Sequence, residues 1–249
     1  MLKKERQTYI LHQVNLHNKV LCTDLSQHMK VSDDTIRRDL NELAQEGRLI
    51  KVHGGALSSS FHSTPSDLEE IYSYDKKKII AQKALRLIKN GMFVITSGGT
   101  TILELARSLP PDLQATFVSC SIPAVLEYAN HPQCDVIMIG DKVSKNSKFT
   151  AGSEAITKIR EIKADLCILG INALDIHHGI SDNDWDVVQV KKAMTGAAQK
   201  LVCLTISEKI NTQQPIQVCE ACDIDILITE LPPESDLLLP YKEAGIQVL

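Results

Sequence analysis

Apolar residues in the first 57 positions recur at helical spacing in three separate runs. Arg6 to Leu16 places Tyr9, Ile10, Val14 and Leu16 on one face. A shorter run carries Leu25 and Met29, with Thr23 as a suitable N-cap. The third run is the most regular. Ser32 can cap it, Asp33 and Asp34 suit the positive end of the helix dipole, Ile36, Leu40 and Leu43 fall at offsets of four and three, and Gly47 supplies the stop. Only Lys30 and Val31 separate the second and third runs, the short connection of a helix-turn-helix. Arg48 to His53 then alternates outward charge with inward Leu49 and Val52 before breaking at Gly54-Gly55, which predicts a β-wing.

Beyond this the pattern changes twice. Ser58 to Ser66 is polar and aperiodic, so residues 58–74 are assigned to a linker between a head, 1–57, and a larger domain, 75–249. A helix from Asp75 to Lys89 presents Ile80, Ala84, Leu87 and Ile88 and closes at Asn90-Gly91. Short apolar runs follow at Met92 to Ile95, Thr116 to Val118, Val136 to Ile139, Leu166 to Leu169, Leu201 to Leu204 and Ile226 to Ile228, most of them separated by helical segments. That alternation predicts an α/β chain: a winged helix-turn-helix followed by a Rossmann-like domain with a mainly parallel sheet. Ile246 to Leu249 is expected to add an edge strand.

With Ile36, Leu40 and Leu43 turned inward, Thr35, Arg37 and Arg38 are left outside, where hydroxyl and guanidinium groups can meet phosphates and base edges. Alternatively, Arg37 and Arg38 pair with Asp33, Asp34, Asp39 or Glu42 on a solvated face. The surrounding helices and wing favour DNA. The candidate contacts are Thr23, Ser32, Asp33, Thr35, Arg37, Arg38, Lys51 and His53.

In a parallel sheet, ligands gather at the loops leaving the carboxyl ends of the strands. Thr96-Ser97-Gly98-Gly99-Thr100-Thr101 follows the first strand and opens a helix carrying Ile102, Leu105, Ala106 and Leu109. Glycines, hydroxyls and a helix N-terminus together suit a phosphate or carboxylate, although the same turn serves ordinary capping. Ser119-Cys120-Ser121, Gly140-Asp141 and Gly170-Ile171-Asn172 are expected at the same rim.

Composition narrows the class. The chain has 249 residues, 43% of them hydrophobic, enough for two domains. Residues 1–58 carry nine Lys and Arg against seven Asp and Glu, while the whole chain has net charge −4. So modest an excess leaves DNA affinity to local placement of Lys30, Arg37, Arg38, Arg48 and Lys51, and to more than one copy of the head. His12, His17, His28 and His53 are assigned to the surface. No apolar run is long enough to span a bilayer, and the start is not that of a signal peptide, so a cytoplasmic protein is expected. Seven cysteines, with Cys134, Cys167 and Cys203 in or beside apolar runs, suit a reducing compartment. Cys219-Glu-Ala-Cys222 lacks a second pair, and neither metal nor cofactor is expected.

Glu5-Arg6, the run Val31-Ser-Asp-Asp-Thr-Ile-Arg-Arg-Asp-Leu40, Gly47 and His53-Gly-Gly-Ala56 together resemble the N-terminal signature of the DeoR family of bacterial transcriptional regulators. The resemblance continues through Lys78-Ile-Ile-Ala81, Ser97 to Thr101, Val190-Lys-Lys-Ala-Met194, Ser207-Glu-Lys209 and Ile228-Thr229, and so covers nearly the whole chain. It implies a regulator, most often a repressor, that binds an operator in double-stranded DNA as a homodimer or homotetramer. It also implies a sensor domain similar to ribose-5-phosphate isomerase that binds a phosphorylated sugar or related effector. The Ser97 to Thr101 turn would hold phosphate, with Lys209 near the ligand. Four departures bear on the ligand: Thr96 where Asp is usual, Gly99 for a hydroxyl residue, Cys120 for Asn, and Asp141 for a second Gly, whose charge is expected to repel phosphate. In the wing, Lys51 replaces the commoner Arg.

Asp182, Asp184 and Asp186, around the only tryptophan, Trp185, are read as complementing the N-terminus of a helix from Val187 to Met194 rather than as a metal or acid-base cluster. Two other readings stand beside the regulator: a sugar-phosphate isomerase with a fused DNA-binding head, which needs a carboxylate base beside the phosphate loop, and a DNA-binding protein without a small-molecule input.

Overall fold

The computed structural model describes residues 2–59 and 71–249, in two compact units that divide between Tyr72 and Ser73. The first comprises α1 (Lys3–His17), β1 (Lys19–Leu21), α2 (Cys22–Met29), α3 (Asp33–Gln45), β2 (Ile50–Val52) and β3 (Gly55–Leu57). Its core is the set that helical spacing picks out, Ile10, Val14, Leu25, Met29, Ile36, Leu40 and Leu43, with Leu49 from the alternating wing segment, joined by Leu11, Val20, Cys22 and Ala56. Tyr9 lies at the edge of this core, its ring stacked on that of His28 with centroids 5.1 Å apart. The helix-turn-helix connection is closed by Lys30 in the left-handed region, φ 55°, where the Val31 N–H donates to Ser26 O.

Three details of this unit differ from the sequence reading. The N-cap of α2 is Leu21, not Thr23, because β1 runs directly into the helix and Thr23 falls in its first turn, where its hydroxyl donates to Asp24. β1 itself was not expected. It pairs antiparallel with β3, giving a sheet of order β1-β3-β2 and not a bare two-stranded wing. Ser58 belongs to the head and not to the linker: it is buried, its N–H donates to Asn18 O, and its hydroxyl donates to Asn15. The linker assignment for residues 60–70 lies outside the described residues.

The second unit runs α4 (Tyr74–Leu85), β4 (Phe93–Thr96), α5 (Thr100–Arg107), β5 (Thr116–Ser119), α6 (Ile122–Ala129), β6 (Asp135–Met138), β7 (Val143–Ser144), β8 (Phe149–Thr150), α7 (Ser153–Arg160) and β9 (Ala164–Gly170). It continues through β10 (Ala173–Asp175), β11 (Gly179–Asp182), α8 (Trp185–Thr195), β12 (Ala198–Leu204), β13 (Ile216–Cys219), β14 (Ile226–Ile228), α9 (Leu239–Glu243) and β15 (Gln247–Val248). Seven strands form one sheet of order β15-β14-β12-β9-β4-β5-β6, and every pairing in it is parallel. The central strands β9 and β12 are covered on both faces, which is why Cys167, Ile168, Leu169, Val202 and Cys203 form near-continuous apolar runs. The carboxyl ends of all seven strands therefore share one edge of the sheet.

A second sheet, β10-β11-β13, is antiparallel and departs from the β-α alternation. It matters for the site because β11 ends at Asp182.

Candidate functional site

In the head, α3 is capped as its sequence dictates. Ser32 Oγ accepts the Thr35 N–H at 3.3 Å and lies 3.0 Å from the Thr35 hydroxyl. Ile36, Leu40 and Leu43 are fully buried, which turns Arg37 and Arg38 to the outside. Arg37 is 62% exposed, and its ion pair with Asp34 is long, at 3.9 Å, so its guanidinium remains largely available to a partner. Lys51 on β2 is bonded to Asn41 on the outer face of α3, linking wing and helix, and His53 stands exposed at the wing turn. Thr23 and Ser32 are exposed, and Asp33 and Thr35 half-buried. Arg37, Arg38, Lys51 and His53 thus form an outward basic set on α3 and the wing.

Asp39 does not belong to that set. It is buried and bound to Arg6 of α1.

In the second unit, the expected rim residues are brought together, with most of their side chains engaged within the protein. Thr96 is buried and its Oγ1 accepts from Tyr128 OH at 3.2 Å. Ser119 Oγ donates to Thr96 O at 2.9 Å and accepts the Ser121 N–H. Ser97 Oγ accepts the Gly170 N–H at 2.9 Å, tying the turn after β4 to the end of β9. Gly98 packs against Ser121 and Phe149, where an added Cβ would sit 3.2 to 3.4 Å from their atoms. Gly99 has φ +118° and open space around it, and Thr100 and Thr101 open α5.

Two rim residues are engaged within the protein. Cys120 is fully buried within the apolar core, with its thiol pushed up to about 12 by burial, so it packs and does not face a ligand. Asp141 follows the exposed Gly140 and stays ionised. Its carboxylate accepts the Lys142 N–H at 2.6 Å and the Ala155 N–H at 3.0 Å, capping α7, and these bonds hold it below its ordinary range.

The strongest electrostatic feature lies at the ends of β9, β11 and β12. Lys191 of α8, buried, donates to Asp182 Oδ2 at 2.7 Å and to Gly170 O at 3.2 Å. Asp182 Oδ1 also accepts from Asn172 Nδ2 and the Asn183 N–H. Burial alone would raise Asp182, but Lys191 and these bonds outweigh it and hold the carboxyl below its ordinary range. Lys209, in the turn after β12, donates to Ile171 O at 3.1 Å, and burial, helped by the like charge of Lys191, pushes it down to about 8. Lys77 of α4, 6% exposed, is pushed down to about 7 by burial and by Lys209.

The dipole reading of the acidic triplet is therefore split. Asp184 is the N-cap of α8, accepting the Val187 N–H, and Asp186 lies in its first turn, whereas Asp182 is a buried ion-pair partner. Asp182, Lys191 and Lys77 are buried charged residues outside the candidate set read from the sequence. The available signal was a charged residue at an otherwise apolar position, Lys77 in α4 and Lys191 among Val187, Val188, Val190 and Met194. Among the described residues, no three His, Cys, Asp or Glu are grouped to hold a metal.

Comparison with known proteins accounts for both units. Residues 6–61 match the DeoR-like helix-turn-helix domain, and residues 72–231 match the DeoR C-terminal sensor domain. The transcriptional regulator GolR of Listeria innocua is 30% identical over 250 residues, spanning 100% of this chain and 98% of that protein. The glycerol-3-phosphate regulon repressor of Escherichia coli is 25% identical, over 100% and 99% of the two chains. Ribose 5-phosphate isomerase A of Methanocaldococcus jannaschii shares 16% identity, with a TM-score of 0.42 over 55% of each chain, a likeness too slight to bear on activity. The chain belongs to the DeoR family of transcriptional regulators, with a helix-turn-helix head and a C-terminal sensor domain.

Proposed function

We propose that the protein is a repressor of a carbohydrate operon that grips operator DNA through α3 and the wing and is controlled by a phosphorylated sugar or related metabolite at the carboxyl edge of the parallel sheet. The observation that carries the DNA half is the outward pair Arg37 and Arg38 on a helix whose opposite face is fixed by Ile36, Leu40 and Leu43. A single small head buries too little surface for specific binding at physiological salt, so a homodimer or homotetramer on repeated half-sites is part of the proposal. Relatives named as repressors of the glycerol-3-phosphate regulon and of the aga operon support the carbohydrate assignment. No helix of the described residues is long and apolar enough to cross a membrane.

The ligand acts as an effector and not as a substrate. Asp182 is the buried carboxylate beside the loop after β9, and its ion pair with Lys191 keeps it ionised and its oxygens occupied, which leaves it a poor general base near neutrality. An effector shifts DNA affinity only by binding the DNA-competent and DNA-free arrangements unequally. The test is an electrophoretic shift with DNA from upstream of the gene, with and without a panel of sugar phosphates. The proposal expects a sequence-preferring complex that at least one sugar phosphate weakens. Binding without sequence preference at low and moderate salt removes the DNA half. A specific complex indifferent to the whole panel removes the effector half.

A further inference from the structure

The seven-stranded sheet ends differently on its two sides. β15 closes one side with two residues, Gln247 and the buried Val248. β6 closes the other with Asp135-Val-Ile-Met138, which carries neither of the residues, lysine and proline, that commonly keep an edge strand from pairing. Its Ile137 and Met138 are 43% and 44% exposed.

The main chain of this edge has a definite pattern. The Asp135 N–H donates to Ala115 O and the Ile139 N–H to Ser119 O, so Asp135, Ile137 and Ile139 turn their polar groups towards β5. By the two-residue period of a strand, Val136 and Met138 turn theirs out of the sheet, where no strand among the described residues pairs with them. The side chains divide between the two faces. Val136 shares a face with Phe117, its partner on β5, whose ring stacks on Tyr128 of α6 at 4.3 Å. Val136 and Met138 therefore lie on the α6 side of the sheet and Ile137 on the other, so the edge is apolar on both faces.

We propose that β6 is the surface on which a second copy of this chain docks, the two edge strands pairing antiparallel about a two-fold axis beside Ile137 and joining two seven-stranded sheets into one. The choice of a second copy rests on the regulatory reading, which needs paired heads on an operator; the open edge does not. Antiparallel pairing sets outward residues against outward residues, so the axis falls beside a residue and not between two. An axis beside Asp135 opposes that carboxylate to itself, and one beside Met138 opposes it to Asp141 of the second copy, both like-charge pairs. An axis beside Val136 needs the Cys134 N–H, which already donates to His131 Nδ1 at 3.1 Å. An axis beside Ile137 has none of these faults. Val136 and Met138 then exchange main-chain bonds with Met138 and Val136 of the second copy, and the Ile137 side chains meet in the close, non-hydrogen-bonded position.

The full chain, without DNA, is the sample. Sedimentation velocity at micromolar concentrations is expected to give the parent the mass of a dimer or tetramer, and Ile137→Lys, which opposes two ammonium groups across the axis, to halve it. Cross-linking reads the register. Ile137→Cys sets its thiol opposite its own copy with Cα atoms about 4.5 Å apart, within disulfide reach, and oxidation by diamide should yield covalent dimer about tenfold or more faster than in the parent. Met138→Cys, equally exposed, sets its thiols two residues out of register, beyond about 7 Å, and should cross-link no faster than the parent, whose own Cys222 is exposed. A monomeric parent leaves the edge to another kind of chain and overturns the proposal. Parental mass in Ile137→Lys, or equal cross-linking of the two cysteine variants, overturns it as well. If circular dichroism shows Ile137→Lys unfolded, Ile137→Cys still decides, because its side chain remains small and uncharged. Upstream DNA, added afterwards, separates this proposal from the regulatory reading. Fast cross-linking of Ile137→Cys in a protein whose parent binds no operator bears out the surface and removes that reading.

Discussion

Arg6 on α1 and Asp39 on α3 are joined inside the head by paired hydrogen bonds, Nε to Oδ2 and Nη2 to Oδ1, the second at 3.1 Å. Asp39 immediately follows Arg38, so the pair fixes the rotation of α3 about its axis and thereby the outward direction of Arg37 and Arg38. Glu42, one turn further on, continues the seam by accepting Lys3 at 2.8 Å and Gln7 at 2.8 Å. The bond to Asp39, opposed by burial and assisted by nearby carboxylate charge, raises Arg6 above its ordinary value.

Arg6→Ala and Asp39→Ala are each expected to destabilise the head by about 3 to 5 kcal/mol, because each leaves the other charge buried without its partner. The double variant should lose less than the sum of the two. Urea unfolding of the full chain followed by circular dichroism measures this, and strict additivity would show that the two residues act independently.

Gly55→Ala should disrupt the wing. A Cβ at Gly55 would stand 1.9 Å from Val20 O on the paired strand β1. The cost expected for overpacking is about 1 to 3 kcal/mol, and the backbone position of the clash sets it at the upper end or above. Loss of DNA binding together with an earlier unfolding transition is the expected readout.

The depressed lysines make the sensor unit sensitive to pH. Lys77, at about 7, and Lys209, at about 8, are neutral in the folded chain over a range in which the unfolded chain, with ordinary lysines, still holds their protons. Stability therefore rises as pH increases from about 7 towards the ordinary lysine range near 10.4, and falls as pH drops back. Thermal melts of the full chain between pH 7 and 8.5, below the range in which thiols raised by burial, Cys120 and Cys219 among them, oppose the effect, should show that rise, and Lys77→Met should flatten it. A parental melting temperature independent of pH in this window would contradict the assignment.

Much of this architecture is legible in residue order, for physical reasons that differ by element. The α3 stripe of Ile36, Leu40 and Leu43 and the runs of β9 and β12 are long enough for period to declare itself, and the predicted segments coincide with them. β1 is three residues with one buried side chain, Val20, too short for a pattern. The sheet β10-β11-β13 joins a hairpin of very short strands to a third strand far along the chain. The strand order that residue periodicity implies puts the loops at one edge, but the direction of each side chain is not visible in it. Cys120 faces the core, Asp141 turns to α7, and Asp182 meets a lysine nine positions later. Charges that pair at long range in the interior, like Arg6 with Asp39, leave no local periodicity to read.

The most direct test of the central claim, that α3 enters a DNA groove with Arg37 and Arg38 foremost, is fluorescence anisotropy of labelled upstream DNA titrated with the parent, Arg37→Ala and Arg38→Ala across a salt series. An arginine that reads a base should cost about 1 to 3 kcal/mol and change site preference, and one that contacts a phosphate should lower the salt slope by about one. Parental affinity and parental salt dependence in both variants would contradict the account.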